Sequence, residues 1–523
     1  MAAAVALVAL ALVAANDGFA QHVHGLGKVE FPNSCSPAVQ EKLLHGVAML
    51  HSFYYSAGRK AFEEVAAADD SCTIAAWGYA SILMLNPLQG VGSSPENAQL
   101  AQAAIDKARK RGAKTERERD YLEAVAVYYA DFANRPESAR QLARAKAYES
   151  LAAKYPDDDE AQIFYALYLA ATQTASDQTY SAYLKAAAIL EKQFAKHPEH
   201  PGVAHYLIHS YDAPPIAARG LPAARRYADI APDAPHALHM PSHIFTRVGA
   251  WADSIATNRR SATVAQKSNE PDEALHAMDY MTYAYLQLAR DGDARKTLDE
   301  ARTVTGFNPA RATAPYALAA MPARYALERG AWGEAARLES VPSKYPFTEA
   351  TTDFARALGA ARSGDPAAAQ KDVERLVSLR DELRAAKSEY WANELEVMRL
   401  ESLAWVALAQ TRSNDALALM RRAADLEDKS EKNIITPGRV LPARELLGDM
   451  LMELKRPTEA LKEYEASQQR EPNRYRGLYG AGQAAAQSSN RDKARHNFSK
   501  LLELAGPGDA RPETVEARRY LAN

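Results

Sequence analysis

Cysteine is scarce in this chain of 523 residues, which has only Cys35 and Cys72, and aromatic residues make up 8% of it. Neither sign of charge dominates, since 63 lysines and arginines stand against 66 aspartates and glutamates without a basic stripe, and we expect no nucleic-acid partner. No long apolar run follows the N-terminus, so we expect no membrane span in the mature chain. Glycine-rich phosphate loops, HExxH, nucleophile elbows and CxxC are all missing, which excludes the enzyme classes built on them.

Alanine, leucine, arginine and glutamate are abundant, and this composition favours helices. No run of alternating β-branched residues predicts a strand. In the C-terminal part three residues recur 34 positions later: Gly448, Ala460 and Tyr464 return as Gly482, Ala494 and Phe498. This period, with its small and aromatic positions, resembles the tetratricopeptide repeat (TPR), a helix-turn-helix unit. We therefore predict an all-α, TPR-like superhelix, an α-solenoid of roughly a dozen stacked hairpins.

An export signal is predicted at the N-terminus. Residues 2–15 form an apolar stretch that is too short to span a bilayer, and cleavage is expected near Ala20. No basic residue precedes the stretch, so a buried N-terminal helix is the alternative. The predicted segments are a signal peptide (1–20), an N-terminal segment (21–38), a superhelix with the histidine cluster (39–350) and a C-terminal TPR array (351–523).

Export makes the protein periplasmic or secreted, and it bears on the two cysteines. In an oxidising compartment a disulfide between Cys35 and Cys72 is the default. Cys35 precedes the first helical pattern and Cys72 begins the third, so the two residues could be neighbours in a stack of hairpins. Two unpaired thiols are the alternative.

Two histidine pairs form the most informative pattern in the sequence. His205 and His209 stand in AHYLIHSYD, His239 and His243 stand in LHMPSHIF, and the pairs lie 34 residues apart. Residues one repeat apart occupy equivalent places on neighbouring helices, and residues spaced i, i+4 share a helix face. We therefore expect the four imidazoles to point at one small volume on the concave face. Converging imidazoles hold transition metals, here zinc, copper, nickel or iron.

Further residues fall in the same repeat frame. His236 is an additional candidate ligand, and Asp212 either supplies a ligand oxygen or orients a histidine from outside the ligand sphere. The candidates for lining the groove are Tyr165, Tyr168, Tyr206, Tyr211 and His276, although tyrosines in helical hairpins pack more often than they bind. Two other interpretations stay open: a polar groove for an organic or peptide ligand, and histidines with a purely structural role.

Three local features qualify this hypothesis. If a helix begins at Pro241, His239 lies before that helix and points elsewhere. His197 and His200, in AKHPEHP, lie in a turn between repeats and are expected to be exposed. Residues 86–97 and 432–443 interrupt the repeat rhythm, and such loops either line a site or serve as spacers.

Longer strings carry a closer resemblance. They are LGKVEFPNSCSPAVQ, AAWGYA, HPGVAHYLIHSYDAPPIAARGLPAARRYADIAPDAPHALHMPSHIFTRVGAW and TPGRVLPARELLGDML. In these strings the chain resembles a family of exported bacterial TPR proteins of uncertain function, from about Leu26 to the end. The resemblance implies a helical superhelix and export, and it implies no assigned activity. Relatives often carry a histidine where this chain has Asn433.

Three hypotheses about function fit these patterns. The first is a periplasmic or secreted binding protein whose concave face carries a transition-metal site. The second is a metalloenzyme, hydrolytic or oxidative, with an open metal position and with Asp212 or a groove tyrosine as acid or base. The third is a metal-free interaction scaffold that holds a protein, peptide or small-molecule ligand in the groove.

Overall fold

A computed structural model describes residues 21–23, 25–506 and 511–523. The predicted signal peptide, residues 1–20, lies outside the described residues. Within them, strands β1 (Gln21–Val23) and β2 (Gly27–Val29) form a short antiparallel hairpin that the sequence did not predict. No helix of the described ranges is long and apolar enough to cross a membrane.

The rest of the described chain is helical, with three short 3-10 turns at Pro37–Val39, Pro87–Gln89 and Ala217–Gly220. The helices are α1 Gln40–His51, α2 Tyr55–Ala68, α3 Ile74–Leu83, α4 Pro95–Arg111, α5 Glu116–Tyr129, α6 Glu137–Lys154, α7 Asp159–Ala170, α8 Ser181–Lys196, α9 Pro201–Ser210, α10 Leu221–Ile230, α11 Pro235–His239, α12 Pro241–Arg247, α13 Trp251–Lys267, α14 Pro271–Gln287, α15 Asp291–Ala301, α16 Thr313–Leu327, α17 Trp332–Ala335, α18 Pro346–Arg362, α19 Pro366–Ala385, α20 Glu389–Ala409, α21 Ser413–Glu427, α22 Ala443–Glu453, α23 Pro457–Arg470, α24 Tyr475–Gln487, α25 Arg491–Ala505 and α26 Pro512–Ala522.

Helices that follow one another in the chain pack against one another along its whole length, as in the pairs α13–α14, α18–α19, α20–α21 and α24–α25. The predicted all-α solenoid of helical hairpins is confirmed. The C-terminal repeat shows why its residues recur. A Cβ atom added to Gly448 would lie 2.7 Å from the Tyr464 ring, and one added to Gly482 would lie 2.6 Å from the Phe498 ring. Only glycine lets the two helices of each hairpin approach this closely.

Apolar side chains form two large cores, one from Leu26 to Phe245 and one from Ala289 to Ala517, and two smaller clusters lie among α13 to α16. The boundary that we predicted after residue 350 falls inside α18, which runs through that position without interruption. In the first region the sulfur atoms of Cys35 and Cys72 form a disulfide, with the two Cα atoms 4.6 Å apart.

The C-terminal region folds back over the face of the array that carries the histidines. The Glu431 amide donates a hydrogen bond to the Ala175 carbonyl at 2.9 Å, and the Tyr180 hydroxyl donates one to the Glu431 carboxylate at 2.8 Å. The Trp251 indole donates to the Asn473 carbonyl at 2.7 Å. We predicted that the histidines line the concave face, and in the structure the chain's own C-terminal segments cover them, so that they are buried.

Candidate metal centre

The candidate site is built on α9, α11, α12 and α14. α9 begins at Pro201 and α11 at Pro235, so both helices start with a residue whose missing N–H would have no helical partner in any case. Pro241 divides α11 from α12, but Met240 between them keeps helical angles of φ −53° and ψ −37°. His239 and His243 therefore share one face, and their Nε2 atoms lie 3.1 Å apart. The alternative in which His239 points elsewhere is wrong.

His205, His209 and His236 form the first histidine triad. One ligand atom from each residue lies within 4.8 Å of the corresponding atoms of the other two. The Nε2 atoms of all three are buried and have no hydrogen-bond partner among the residues that the structure describes. His205 Nδ1 donates to the His51 carbonyl at 2.6 Å, and His236 Nδ1 faces the Glu273 carboxylate at 3.3 Å. The contacts at Nδ1 thus fix the orientation of both rings, and the Nε2 atoms keep no hydrogen-bond partner among the described residues.

His239, His243 and His276 form the second histidine triad, and their ligand atoms also lie within 4.8 Å of one another. His239 and His243 are almost fully buried, His276 is 6% exposed, and the His239 and His276 rings are 4.3 Å apart. We expected four imidazoles around one point, and this expectation is wrong. The imidazoles form two sets. Each set consists of one pair spaced i, i+4 and one histidine from the first helix of the next hairpin.

Asp212 is not placed as a metal ligand. Its carboxylate accepts from His243 Nδ1 at 2.8 Å and from Arg247 Nε at 2.8 Å, with Lys432 Nζ at 3.7 Å. Burial by itself would raise the pKa of Asp212, but Lys432, Arg247 and His243 hold it well below its ordinary value. Of the two predicted roles, the structure therefore assigns the second, in which the charged carboxylate orients His243.

Five of the six imidazoles have a lowered pKa, which favours their neutral form. Burial, reinforced by neighbouring histidines, lowers the pKa of four of them well below the ordinary value: His205, His209, His239 and His276. Burial also lowers the pKa of His243 to about 4, against the opposing effect of Asp212. A neutral imidazole offers a lone pair, which is the form that binds a metal ion.

A cavity of about 20 Å³ lies between the two triads. Two residues of each triad line it, His209 and His236 on one side and His243 and His276 on the other. Asn86, Gln89 and Ile434 belong to the two irregular segments of the sequence, and they also line the cavity. The sequence left open whether these two segments line a site or serve as spacers. In the structure both segments line this cavity.

The predicted tyrosines are mostly elsewhere. Tyr206 is buried beside the first triad, with its ring 5.2 Å from that of His205 and its hydroxyl donating to His51 Nδ1 at 3.0 Å. Tyr168 packs edge-to-face against Tyr148, while the hydroxyls of Tyr165 and Tyr211 donate hydrogen bonds to Glu149 and Glu191. The prediction that Tyr165, Tyr168 and Tyr211 line the histidine site is wrong, because Tyr165 and Tyr168 contact residues of α6 and Tyr211, just after α9, contacts Glu191 of α8.

The sequence analysis missed several residues that support the site. Tyr280 donates to the Thr436 carbonyl at 3.1 Å, with its hydroxyl 3.4 Å from His243 Nε2. Asn258 accepts from His239 Nδ1 at 2.7 Å. Glu273 lies three residues before His276 and hence on the same face of α14, which is a signal that the sequence did contain. Asn258 has no such signal, since it lies on a helix without site histidines.

His51, Glu160 and His200 form a third group of potential ligands, and it serves as an internal contrast. His51 Nε2 and His200 Nε2 donate to the two oxygens of Glu160 at 2.9 and 3.0 Å. His51 Nδ1 accepts from Tyr206, and His200 Nδ1 accepts from the Val203 amide. Every polar atom of this group is satisfied, so it is a structural network. The expected exposure of His200 is wrong, since it is 4% exposed.

Asn433 lies in the irregular segment 432–443. Its side-chain oxygen accepts from the Ile435 amide at 3.1 Å and closes a turn. On one side of it Lys432 approaches Asp212, and on the other side Ile434 lines the cavity.

No protein-family model matches the sequence, and no curated protein matches it either. Among solved structures, the human IFIT1 dimer with m7Gppp-AAAA is similar at 13% identity, over 83% of this chain and 90% of that chain, with a TM-score of 0.37. The APC/C hetero-tetramer Cut9–Hcn1 is 12% identical over 92% of this chain and 96% of that chain, with a TM-score of 0.29. Yeast Tom70 is 12% identical over 92% and 88%, also with a TM-score of 0.29. Likenesses at these TM-scores carry no argument about the function of this chain.

Proposed function

We propose that this chain is an exported TPR-type repeat protein that binds a transition-metal ion through the Nε2 atoms of His205, His209 and His236. The observation that carries the proposal is that three buried ring nitrogens converge without a hydrogen-bond partner in the described part of the chain. Buried polar atoms are almost always paired, and leaving one unpaired costs about 1–3 kcal/mol. A metal ion would satisfy all three at once.

The surroundings of the first triad support this proposal. Ligating histidines commonly donate their other ring N–H to a carbonyl or a carboxylate, which fixes the tautomer. His205 does so to the His51 carbonyl, and His236 Nδ1 faces Glu273. The pKa of Glu273 is lowered to about 2, since the interactions with His236 and Arg311 outweigh the effect of burial. The carboxylate is therefore charged and can offset part of the charge of a cation.

The donor set restricts the identity of the ion. Neutral imidazoles suit zinc, copper, nickel and iron, whereas magnesium and calcium prefer oxygen ligands. Three protein ligands leave a further position at the ion, and this position would face the cavity beside His209 and His236. This open position favours a metalloenzyme as the second candidate function, with a small substrate that reaches the ion through the cavity.

Two features support export to the periplasm or beyond the cell. Residues 2–15 form an apolar stretch of the length expected for a signal sequence. The disulfide between Cys35 and Cys72 suits an oxidising compartment and is rare in the cytosol.

Elemental analysis tests the metal proposal. The full-length protein is purified from an oxidising compartment without a histidine tag, next to the variants His236→Ala and His496→Ala. His496 is exposed and serves as the matched control. We expect His236→Ala to lose about one equivalent of metal relative to the unchanged protein, and His496→Ala to lose none. Equal metal content in all three folded proteins, or no metal in any of them, would refute the proposal.

A further inference from the structure

The second triad carries an unusual arrangement of hydrogen bonds. His239 Nδ1 faces the side-chain oxygen of Asn258, whose amide nitrogen donates to the Ser254 carbonyl at 2.8 Å. That second bond fixes the orientation of the Asn258 amide, so His239 Nδ1 must be the donor. His243 Nδ1 faces the Asp212 carboxylate, an acceptor, and is therefore a donor as well. Both rings then present a lone pair at Nε2.

These two lone pairs point at each other across 3.1 Å. Two acceptors at this distance repel each other unless a cation lies between them. Two imidazole nitrogens bound to one tetrahedral ion at about 2.0–2.1 Å are roughly 3.3 Å apart. The separation of His239 and His243 is thus close to that of two ligands of the same ion.

His276 completes the second triad. Its Nδ1 atom is buried and has no hydrogen-bond partner within the described ranges. Its ring packs 4.3 Å from that of His239, and its side chain lines the cavity. The second triad therefore repeats the plan of the first: a pair spaced i, i+4, one histidine from the next hairpin, and one carboxylate behind a ring.

The two triads face one cavity. The rings of His209 and His243 are 5.7 Å apart, and those of His236 and His239 are 6.0 Å apart. The cavity between them has a volume of about 20 Å³. It has room for a water-sized molecule, since a cavity of roughly 10–15 Å³ is enough to hold one water. Ions held by the two triads would lie on opposite sides of this space.

We infer that His239, His243 and His276 hold a second transition-metal ion, and that the two ions share a small oxygen ligand, such as hydroxide, in the cavity between the triads. This inference rests on the proposed function, since the shared ligand requires an ion in the first triad. The charge arrangement agrees with it. Each triad has one carboxylate behind a ring, Glu273 for His236 and Asp212 for His243, and these two anions stand near the two cations.

Copper loading tests the inference. The sequence has two further histidines near its N-terminus, His22 and His24. All proteins carry His22→Ala/His24→Ala, so that these two residues contribute no copper to the measurement. The metal-free protein is loaded with copper(II) sulfate, dialysed and measured by elemental analysis and by electron paramagnetic resonance (EPR). We expect about two equivalents of copper and an EPR signal well below two spins, because ions that share a hydroxide roughly 3.5–4 Å apart are magnetically coupled.

Variants of each triad separate the two ions. His276→Ala is expected to keep about one equivalent of copper and to show one full spin, and His236→Ala is expected to behave in the same way. The near-isosteric His276→Gln is measured as well, with circular dichroism of every protein, so that a loss of fold is distinguished from a loss of ligand. His496→Ala, at an exposed position, should retain two coupled ions.

Each other outcome overturns a defined part of the inference. One equivalent in the parent protein, kept in His276→Ala and lost in His236→Ala, would overturn the second ion and leave the proposed function intact. Two equivalents with two uncoupled spins would overturn the shared ligand. No bound copper in the parent protein, together with no zinc, nickel or iron, would overturn the proposed function itself.

Discussion

The histidine layer, α9 to α14, and the C-terminal hairpins, α22 to α25, are built on the same period of 34 residues. In the C-terminal hairpins the recurring residues fill each other's space, with Gly448 under the Tyr464 ring and Gly482 under the Phe498 ring. In the histidine layer the residues one period apart are His205 and His239, and their rings point into separate polar groups. Residues one repeat apart can thus form close apolar packing between helices, or they can form clusters of potential metal ligands.

The difference between the two regions lies in the kind of buried atom that lacks a hydrogen-bond partner among the described residues, since only the histidine layer has a cluster of ring nitrogens among such atoms. Apolar packing in the C-terminal hairpins needs nothing beyond the chain. In the histidine layer four ring nitrogens are buried without a hydrogen-bond partner in the described part of the chain: His205, His209 and His236 Nε2, and His276 Nδ1. The stability of this layer should therefore depend on a bound ion, whereas that of the C-terminal hairpins should not.

Metal removal should produce the largest difference in stability between the two regions. An ion that binds only the folded state stabilises it by about 4 kcal/mol when its free concentration is about a thousand times its dissociation constant. We expect chelation to lower the melting temperature and to speed amide hydrogen exchange in α9–α14, with little change in α22–α25. Equal acceleration in both regions, or none in either, would contradict this. His236→Ala should show a smaller response to the chelator.

Two glycine substitutions sharpen the comparison. A methyl group at Gly202 would overlap His51 Nδ1, and one at Gly482 would lie 2.6 Å from the Phe498 ring. Overpacking costs about 1–3 kcal/mol, so we expect both Gly202→Ala and Gly482→Ala to destabilise the fold in denaturant titrations. Only Gly202→Ala should weaken metal binding, by roughly 10–100-fold, since the His51 carbonyl holds His205 Nδ1.

The control for these substitutions is Gly292→Ala, where no atom lies within 4 Å of the added Cβ. It should be neutral or stabilise the helix by up to about 1 kcal/mol. If Gly482→Ala reduced metal affinity as much as Gly202→Ala, the two regions would not be independent.

The stability of the fold should depend on pH because of Glu427, a largely buried residue of the C-terminal region. Burial raises the pKa of Glu427 from 4.5 to about 8, and Arg439 opposes this only in part. The folded state then holds a proton that the unfolded state releases, so stability falls as pH rises between 4.5 and 8. Glu427 contributes at most about 1.4 kcal/mol per pH unit to this slope, and the buried Glu401, whose pKa is also raised, adds to it.

Glu427→Gln should flatten this slope in urea titrations at pH values across that range, without changing metal content. The exposed residue Glu503 provides the matched control, and Glu503→Gln should leave the slope as it is. An unchanged slope in Glu427→Gln would show that this carboxyl group is not the source of the pH dependence.

Much of the site was predictable, and the reason is periodicity. The i, i+4 spacing and the 34-residue offset identified His205, His209, His239 and His243, because a helix turn and a repeat length are properties of the chain itself. His236 and Asp212 followed from the same frame. His276 was predicted only as a groove residue, because the longer unit before it obscured the repeat frame.

The grouping of these residues was not predictable. Sequence spacing places rings on faces of helices, but it does not fix how far one helix is displaced along its neighbour. That displacement brings His236 to the first triad and His276 to the second. The supporting acceptors come from other faces or distant segments, as with Asn258 and the His51 carbonyl, and no local pattern marks them.

The sequence by itself determined that this protein is a helical repeat array with a concentrated set of histidines, because helix propensity, repeat period and i, i+4 spacing act over short distances along the chain. Only the tertiary structure decided that the histidines form two triads around one cavity, that Asp212 orients His243, and that the C-terminal segment 432–436 covers the site. Those features depend on contacts between residues as far apart as His51 and His205 or Tyr280 and Thr436, which only the packing of the whole chain brings together.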